Sequence, residues 1–282
     1  MWWFALPAVL INVVIILVPA VLTFAAAFMA WDGVGMPVWI GLQNFQHMVD
    51  DPVFWSALSN NLVWTLIFLT VPVAMAIVMA AALLLAPRGR LVVQSIIFLP
   101  RILAVAVIGR IFQGMIYSPA TGVLAWLNGH GFSLADPLAD PDRSLYAVAA
   151  VDIWHWWGFL AVVFLAAMRQ ISVDQIEAAR LDGAGFLALL RYVLLPGIRP
   201  TFVLMLILTV IWSFQVFEFI FIVTRGGPAY GSEVLATLAY RHAFFDGDVG
   251  QAAAVACVMS LFGLCATALY LRLQSRDGAQ PT

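Results

Sequence analysis

Uninterrupted apolar length is what most limits this chain. Residues 4–30 and 60–86 contain no Asp, Glu, Lys or Arg, and the runs 92–116, 145–168, 201–224 and 249–272 contain one or two each. An apolar run of roughly 18 residues or more can cross a bilayer as a helix. None of these runs alternates polar and apolar residues over about ten positions, as a barrel strand would. The fold class expected is an all-α membrane protein with six transmembrane helices, in one domain over 1–282. Only 10% of the residues are charged, against about 25% in soluble domains. The first run opens MWWFALPAVLINVV, without a basic flank and too long for a signal-peptide core. It is expected to be the first span, kept in the mature protein.

The charges between the runs set the orientation. The chain has no lysine. Placing the termini in the cytoplasm puts Arg88, Arg90, Arg169, Arg180, Arg191, Arg199, Arg272 and Arg276 inside and only Arg143, Arg225 and Arg241 outside. That asymmetry follows the positive-inside rule. Cys257 and Cys265 lie eight apart in one helical run, too far for a disulfide, and read as small buried residues. The net charge of −2, with no basic cluster, gives no reason to expect a nucleic-acid partner.

Between the fourth and fifth runs lies a charged, glycine-broken stretch, EAARLDGAGFLALLRYVLLPGIRP, residues 177–200. Its first half has helical propensity, with Ser172 or Asp174 as N-cap. Gly183 and Gly185 break it, a second helix runs to just before Pro196, and Pro200 restarts the chain into the fifth span. By these features alone it is two short helices under the membrane, and a plain connector would look much the same.

The order Glu177-Ala178-Ala179, Asp182-Gly183-Ala184, Leu195-Pro196 is more specific, and resembles the EAA loop of ABC importer permeases. The resemblance covers most of the chain. Residues 41–65, 98–122 and 213–254 look like the first outer loop, the third span with its following loop, and the fifth span with its Gly-Gly-Pro turn, in the carbohydrate-uptake, maltose-type branch. Arg101 and Arg110 depart from that branch, where apolar or aromatic residues are more usual, and Glu218 stands where Asp is common.

The resemblance implies a coupling helix, formed by Glu177, Ala178, Ala179, Asp182, Gly183, Ala184 and Pro196, docking on a cytoplasmic ATPase. The small side chains there would let two backbones approach closely. It also implies a prokaryotic inner-membrane location, a second permease subunit, two ATP-binding subunits and an extracytoplasmic solute-binding protein. A carbohydrate or polyol would be the cargo. The Gly226-Gly227-Pro228 turn, which faces outside, would meet the binding protein. ATP and Mg would be used by the partner ATPase. This chain itself cannot hold an ordinary phosphate-binding P-loop, which needs a lysine. It is not expected to be an enzyme, to bind a cofactor, or to hold a metal on its scattered His47, His130, His155 and His242.

Ionisable residues inside spans usually face a cavity or a partner. Helical spacing places Gln215 and Glu218 on one stripe with Ile211 and Ile222, and Phe214, Phe217 and Phe221 on another. Phe214, Gln215, Phe217 and Glu218 are the expected substrate path. The alternative for Glu218 is a structural pair with an arginine of another span. Arg101 and Arg110, nine apart, would point to opposite faces of one helix, Arg101 snorkelling to the cytoplasmic surface and Arg110 pairing with Glu218 or Asp152. Trp154, Trp156 and Trp157 read first as an interfacial belt and second as a sugar-stacking surface, with Trp154 in the path. A different class of function, a secondary transporter or channel relaying ions through Asp152, Glu218 and Arg110, would need no ATPase.

Overall fold

The structure, a computed structural model, describes residues 6–86 and 88–277. The first span is α1 (Leu6–Asn12), a π-helical turn (Val13–Leu17) and α2 (Val18–Ala26). A two-residue antiparallel ribbon, β1 (Met29–Ala30) on β2 (Val38–Trp39), pairs Met29 with Trp39. It is the one departure from all-helical structure among the described residues. Then come α3 (Gln43–Asp50), α4 (Pro52–Leu85), α5 (Arg90–Ile102), and α6 (Val105–Ile111) with a π turn (Phe112–Ile116). They are followed by α7 (Gly122–Gly129) and α8 (Pro141–Met168). The loop end holds α9 (Val173–Leu181), α10 (Phe186–Leu189), a π turn (Leu190–Leu194) and α11 (Leu195–Gly197). The chain finishes with α12 (Arg199–Phe214), α13 (Glu218–Val223), α14 (Leu235–Phe244) and α15 (Val249–Asp277).

Five helical stretches are long and apolar enough to span a membrane: Val9–Ala26, Pro52–Leu85, Pro141–Met168, Arg199–Val223 and Val249–Leu269. The sixth expected span differs from expectation. α5 and the helix after it bend by 95° at Leu103–Ala104, so residues 92–116 are a broken span. The spans of α4 and α8 begin earlier than hydropathy indicates, because each has a proline at its first turn and an aspartate cap before it. Asp51 accepts from Val53 N–H at 2.8 Å and Asp140 from Asp142 N–H at 2.9 Å, satisfying donors that a helix start leaves open.

α4 and α8 form the central pair. Ala76, Ala80 and Ala81 of α4 share a buried cluster with Leu160, Ala161, Phe164 and Leu165 of α8. Small residues matter here because lipid is as apolar as leucine, so close packing, not burial from water, holds membrane helices together. α5 crosses the same helix at Gly158, where a β-carbon would run into the Ile97 carbonyl. At the opposite end from α9, Ala26, Phe54, Leu235, Leu238 and Ala254 join α2, α4, α14 and α15. The buried Asn44 amide fastens this end by donating to the Ala27 and Met29 carbonyls at 3.0 and 2.9 Å. The first span otherwise stands apart, with 6% of the Val9–Ala26 stretch buried.

The loop between α8 and α12 also differs in one detail. Its second helix does not stop before Pro196 but runs through a π turn into α11, ending at Gly197. Proline has no N–H for the helical ladder, and the widened turn lies immediately before it. Pro200 does sit in the first turn of α12, as expected.

Candidate functional site

Two interrupted spans meet at one cavity. α12 ends at Phe214, and α13 begins at Glu218, so Gln215–Phe217 are not helical. The break frees backbone groups at membrane depth, where each needs a partner inside the protein. Asn61, fully buried on α4, donates from Nδ2 to the Ser213 carbonyl at 2.9 Å and accepts the Leu235 N–H on Oδ1 at 2.8 Å. Thr65 and Ser213 hydroxyls lie 2.6 Å apart. The interruption is thus a supported piece of structure. It also corrects the stripe expected for Gln215 and Glu218 with Ile211 and Ile222, which assumed one continuous helix.

The cavity has a volume of about 320 Å³. Trp64 and Phe68 of α4, Arg101 and Val105 beside the α5–α6 bend, Asp152, His155 and Trp156 of α8, and Thr209, Trp212, Ser213 and residues 215–219 line it. Of the residues expected on the path, Gln215, Phe217 and Glu218 line it. Phe214 does not: it is buried, stacked on Phe262 of α15 at 4.3 Å. Trp154 points elsewhere, half-exposed and 5.6 Å from the Phe112 ring. Trp156 takes the place expected of it.

The arginines exchange roles. With the helix bent between them, the opposite-face argument no longer applies. Arg101 lines the cavity, its guanidinium 4.8 Å from the Trp156 ring centre, a cation–π distance. Arg101 Nη1 lies 3.3 Å from His155 Nε2. Arginine can only donate, so this contact is a hydrogen bond where Nε2 carries no proton. Nδ1 faces Asp152 Oδ1 at 3.6 Å. Arg110 is outside the cavity and donates to Gln113 Oε1 at 2.9 Å, which breaks the relay expected of Asp152, Glu218 and Arg110. His155 carried no local motif. Its signal was spacing, three residues after Asp152 on a helix face.

The loop of expected coupling residues is well exposed. Ile176 is buried against Leu189 and Leu190 and fixes α9 to the core. Glu177, Ala178, Asp182 and Gly183 face outward, Ala179 and Ala184 are half-buried, and Pro196 is exposed. Gly183 has φ +85°, a left-handed conformation that favours glycine and that ends α9. Sequence reading passed over Leu181 and Leu187, which are 89% and 76% exposed on the same surface.

At the other end, the Gly226-Gly227-Pro228 turn is braced from inside. The Asn60 amide donates to the Gly231 and Glu233 carbonyls at 3.2 and 2.8 Å. Glu233, fully buried, pairs with Arg241. Of this outer-loop turn, Gly226 and Glu233 are buried within the protein, and Arg225, Ala229 and Tyr230 are exposed. Among the described residues no three His, Cys, Asp or Glu side chains gather as a metal set.

This geometry has relatives. A probable ABC transporter permease of Bacillus subtilis (strain 168) is 31% identical over 83% of this chain and 81% of its own length. The sulfoquinovosyl glycerol transport system permease of Agrobacterium fabrum is 30% identical over 94% of this chain and 87% of its own. The crystal structure of a bacterial alginate ABC transporter, in complex with an alginate pentasaccharide-bound periplasmic protein, superposes with a TM-score of 0.84. The match covers 99% of this chain and 96% of that one at 23% identity, and shows a shared fold. Residues 73–276 match the family described as binding-protein-dependent transport system inner membrane component, and the chain belongs to that family of membrane permeases.

Proposed function

We propose that this permease lines half of the translocation path of an ATP-driven importer for a carbohydrate or polyol. The observation that carries this reading is the cavity at the two interrupted spans. Transporter sites are commonly built where helices break, and here the lining combines indole and phenyl rings with a guanidinium and two carboxylates. Rings stack on sugar faces, and charged groups bind hydroxyls with hydrogen bonds stronger than neutral ones. The relatives named for saccharide or glycerol-conjugate cargo support the same class.

The remaining parts follow from the ends of the molecule. The α9 surface, with Glu177, Ala178 and the uncovered Leu181, takes a cytoplasmic ATPase that binds ATP and Mg. A second permease completes the path. The exposed tip around Tyr230, on the braced Gly226-Gly227-Pro228 turn, receives a solute-binding protein, and the termini are cytoplasmic.

Detergent extraction from native membranes followed by affinity purification tests the coupling arm. An ATPase and a second permease are expected to co-purify with the unmodified chain. Glu177→Arg combined with Leu181→Asp is expected to lose the ATPase and keep the permease. Retention of the ATPase by that variant would remove α9 from the coupling contact.

A further inference from the structure

Charge in the cavity is unevenly matched. Arg101 is its one cation, and Asp152 and Glu218 are its anions. Arg101 Nη1 lies 3.3 Å from His155 Nε2, and His155 Nδ1 lies 3.6 Å from Asp152 Oδ1, close but without a hydrogen bond, so Arg101, His155 and Asp152 stand in one row with a cation at one end and an anion at the other. The flat face of Arg101 is also occupied, since it lies over Trp156. Glu218 takes no part in this row. Among the described residues it makes no hydrogen bond or ion pair, and it is exposed where the α12–α13 interruption opens into the cavity.

Resting on the reading of the cavity as a saccharide site, we propose that Glu218 is the specificity-determining group and that the cargo is a non-acidic saccharide. The free carboxylate accepts two or more sugar hydroxyls. Gln215 is placed beside it, and Trp212 and Phe217 supply apolar faces in the same lining. A uronate or other acidic sugar would bring its charge to the unneutralised carboxylate, while the arginine that could offset it is already held on His155 and Trp156. A like charge at contact distance in a partly wetted site weakens binding by about tenfold or more.

The test measures binding to the assembled importer, this chain with its partner subunits in lipid nanodiscs, without ATP and without the solute-binding protein, whose own selectivity would mask that of the cavity. Equilibrium dialysis uses tritiated di- and trisaccharides of glucose, galactose and mannose, each paired with its uronic acid counterpart. At least one neutral saccharide is expected to bind, with its uronate at least about tenfold weaker. Glu218→Gln keeps the shape and a hydrogen-bonding oxygen, and is expected to bring the two within about threefold. Arg101→Gln is expected to leave the uronate excluded. Uronates that bind as well as the neutral sugars, or a ratio unchanged by Glu218→Gln, overturn the assignment of Glu218. If no saccharide of either kind binds, the saccharide reading itself falls and takes this inference with it. Size-exclusion profiles identical to wild type confirm that each variant importer is assembled.

Discussion

At the scale of single residues, two carboxylates outside the cavity show how environment decides what a charge does. Glu233 is fully buried against Arg241, which is itself a third exposed and lies 5.0 Å from the Tyr230 ring. Removing one charge of a buried pair costs about 3–5 kcal/mol, and an exposed pair is worth only about 1. Glu233→Gln is therefore expected to destabilise the protein by about 2 kcal/mol, seen as a lower melting temperature in detergent and faster proteolysis at the Gly226-Gly227-Pro228 turn.

Asp32, fully exposed in the loop before β2, accepts from the Gly35 N–H at 2.7 Å and the Val34 N–H at 3.0 Å. These bonds hold its carboxyl below the usual carboxylate range, the Gly35 contribution being the larger. Its folded pKa is depressed, so its support of the turn is present above the unfolded pKa and is lost as pH falls through the folded one. The Trp31 indole donates to the Gly35 carbonyl in the same turn at 2.8 Å. A fluorine-19 signal from 5-fluorotryptophan at position 31 is expected to stay constant between about pH 7 and 5. Asp32→Asn should shift it across that range.

At the scale of elements, the crossing of α5 over α8 sets the position of Arg101. Gly158 brings the helices together at Ile97, one turn before the arginine. Gly158→Val is expected to push α5 away at a cost of about 1–3 kcal/mol, and to slow transport even at temperatures where the protein stays folded. Uptake assays on the intact importer measure this directly. Unchanged uptake would mean that Arg101 keeps its place without that crossing.

The same elements show what a sequence can and cannot disclose. Apolar length locates spans because the bilayer enforces it, and the Gly183 and Pro200 boundaries of the loop follow from backbone chemistry alone. The starts of α4 and α8 were also readable in Asp51-Pro52 and Asp140-Pro141, but hydropathy does not weigh caps. The interruptions at Leu103–Ala104 and Gln215–Phe217 were hidden, because both lie inside long apolar runs and no glycine or proline occupies either gap. What sustains the second is Asn61, 152 residues before Ser213 in the chain, and no local pattern reports such a contact. The cavity inherits this limit. Gln215 and Glu218 were legible as polar residues in an apolar run, whereas Arg101, His155 and Trp156 became a group only through the bend.

At the scale of the whole molecule, the helices divide into a packed body and one outlying span. α4, α8, α12 and α15 are knit together by three buried clusters, while the first span meets that body along α2, against α15, and leaves most of its surface uncovered. Ile15 is 66% exposed and Ile16 61%, an apolar face open to the second permease of the proposed complex. In a background with Cys257 and Cys265 replaced by serine, Ile15→Cys is expected to cross-link to that permease in intact membranes. Labelling by a lipid-soluble maleimide with no cross-link to that permease would put the span in the bilayer instead.

That outlying first span bears on how much of the protein a cell keeps. If the proposed second permease packs on it, a subunit made in excess of that mate would display a long helix with nothing docked on it, the kind of unclaimed surface that membrane proteases survey. Steady-state abundance would then be set by the scarcer of the two permeases, and balanced stoichiometry would follow from degradation of the orphan, with no need for matched synthesis.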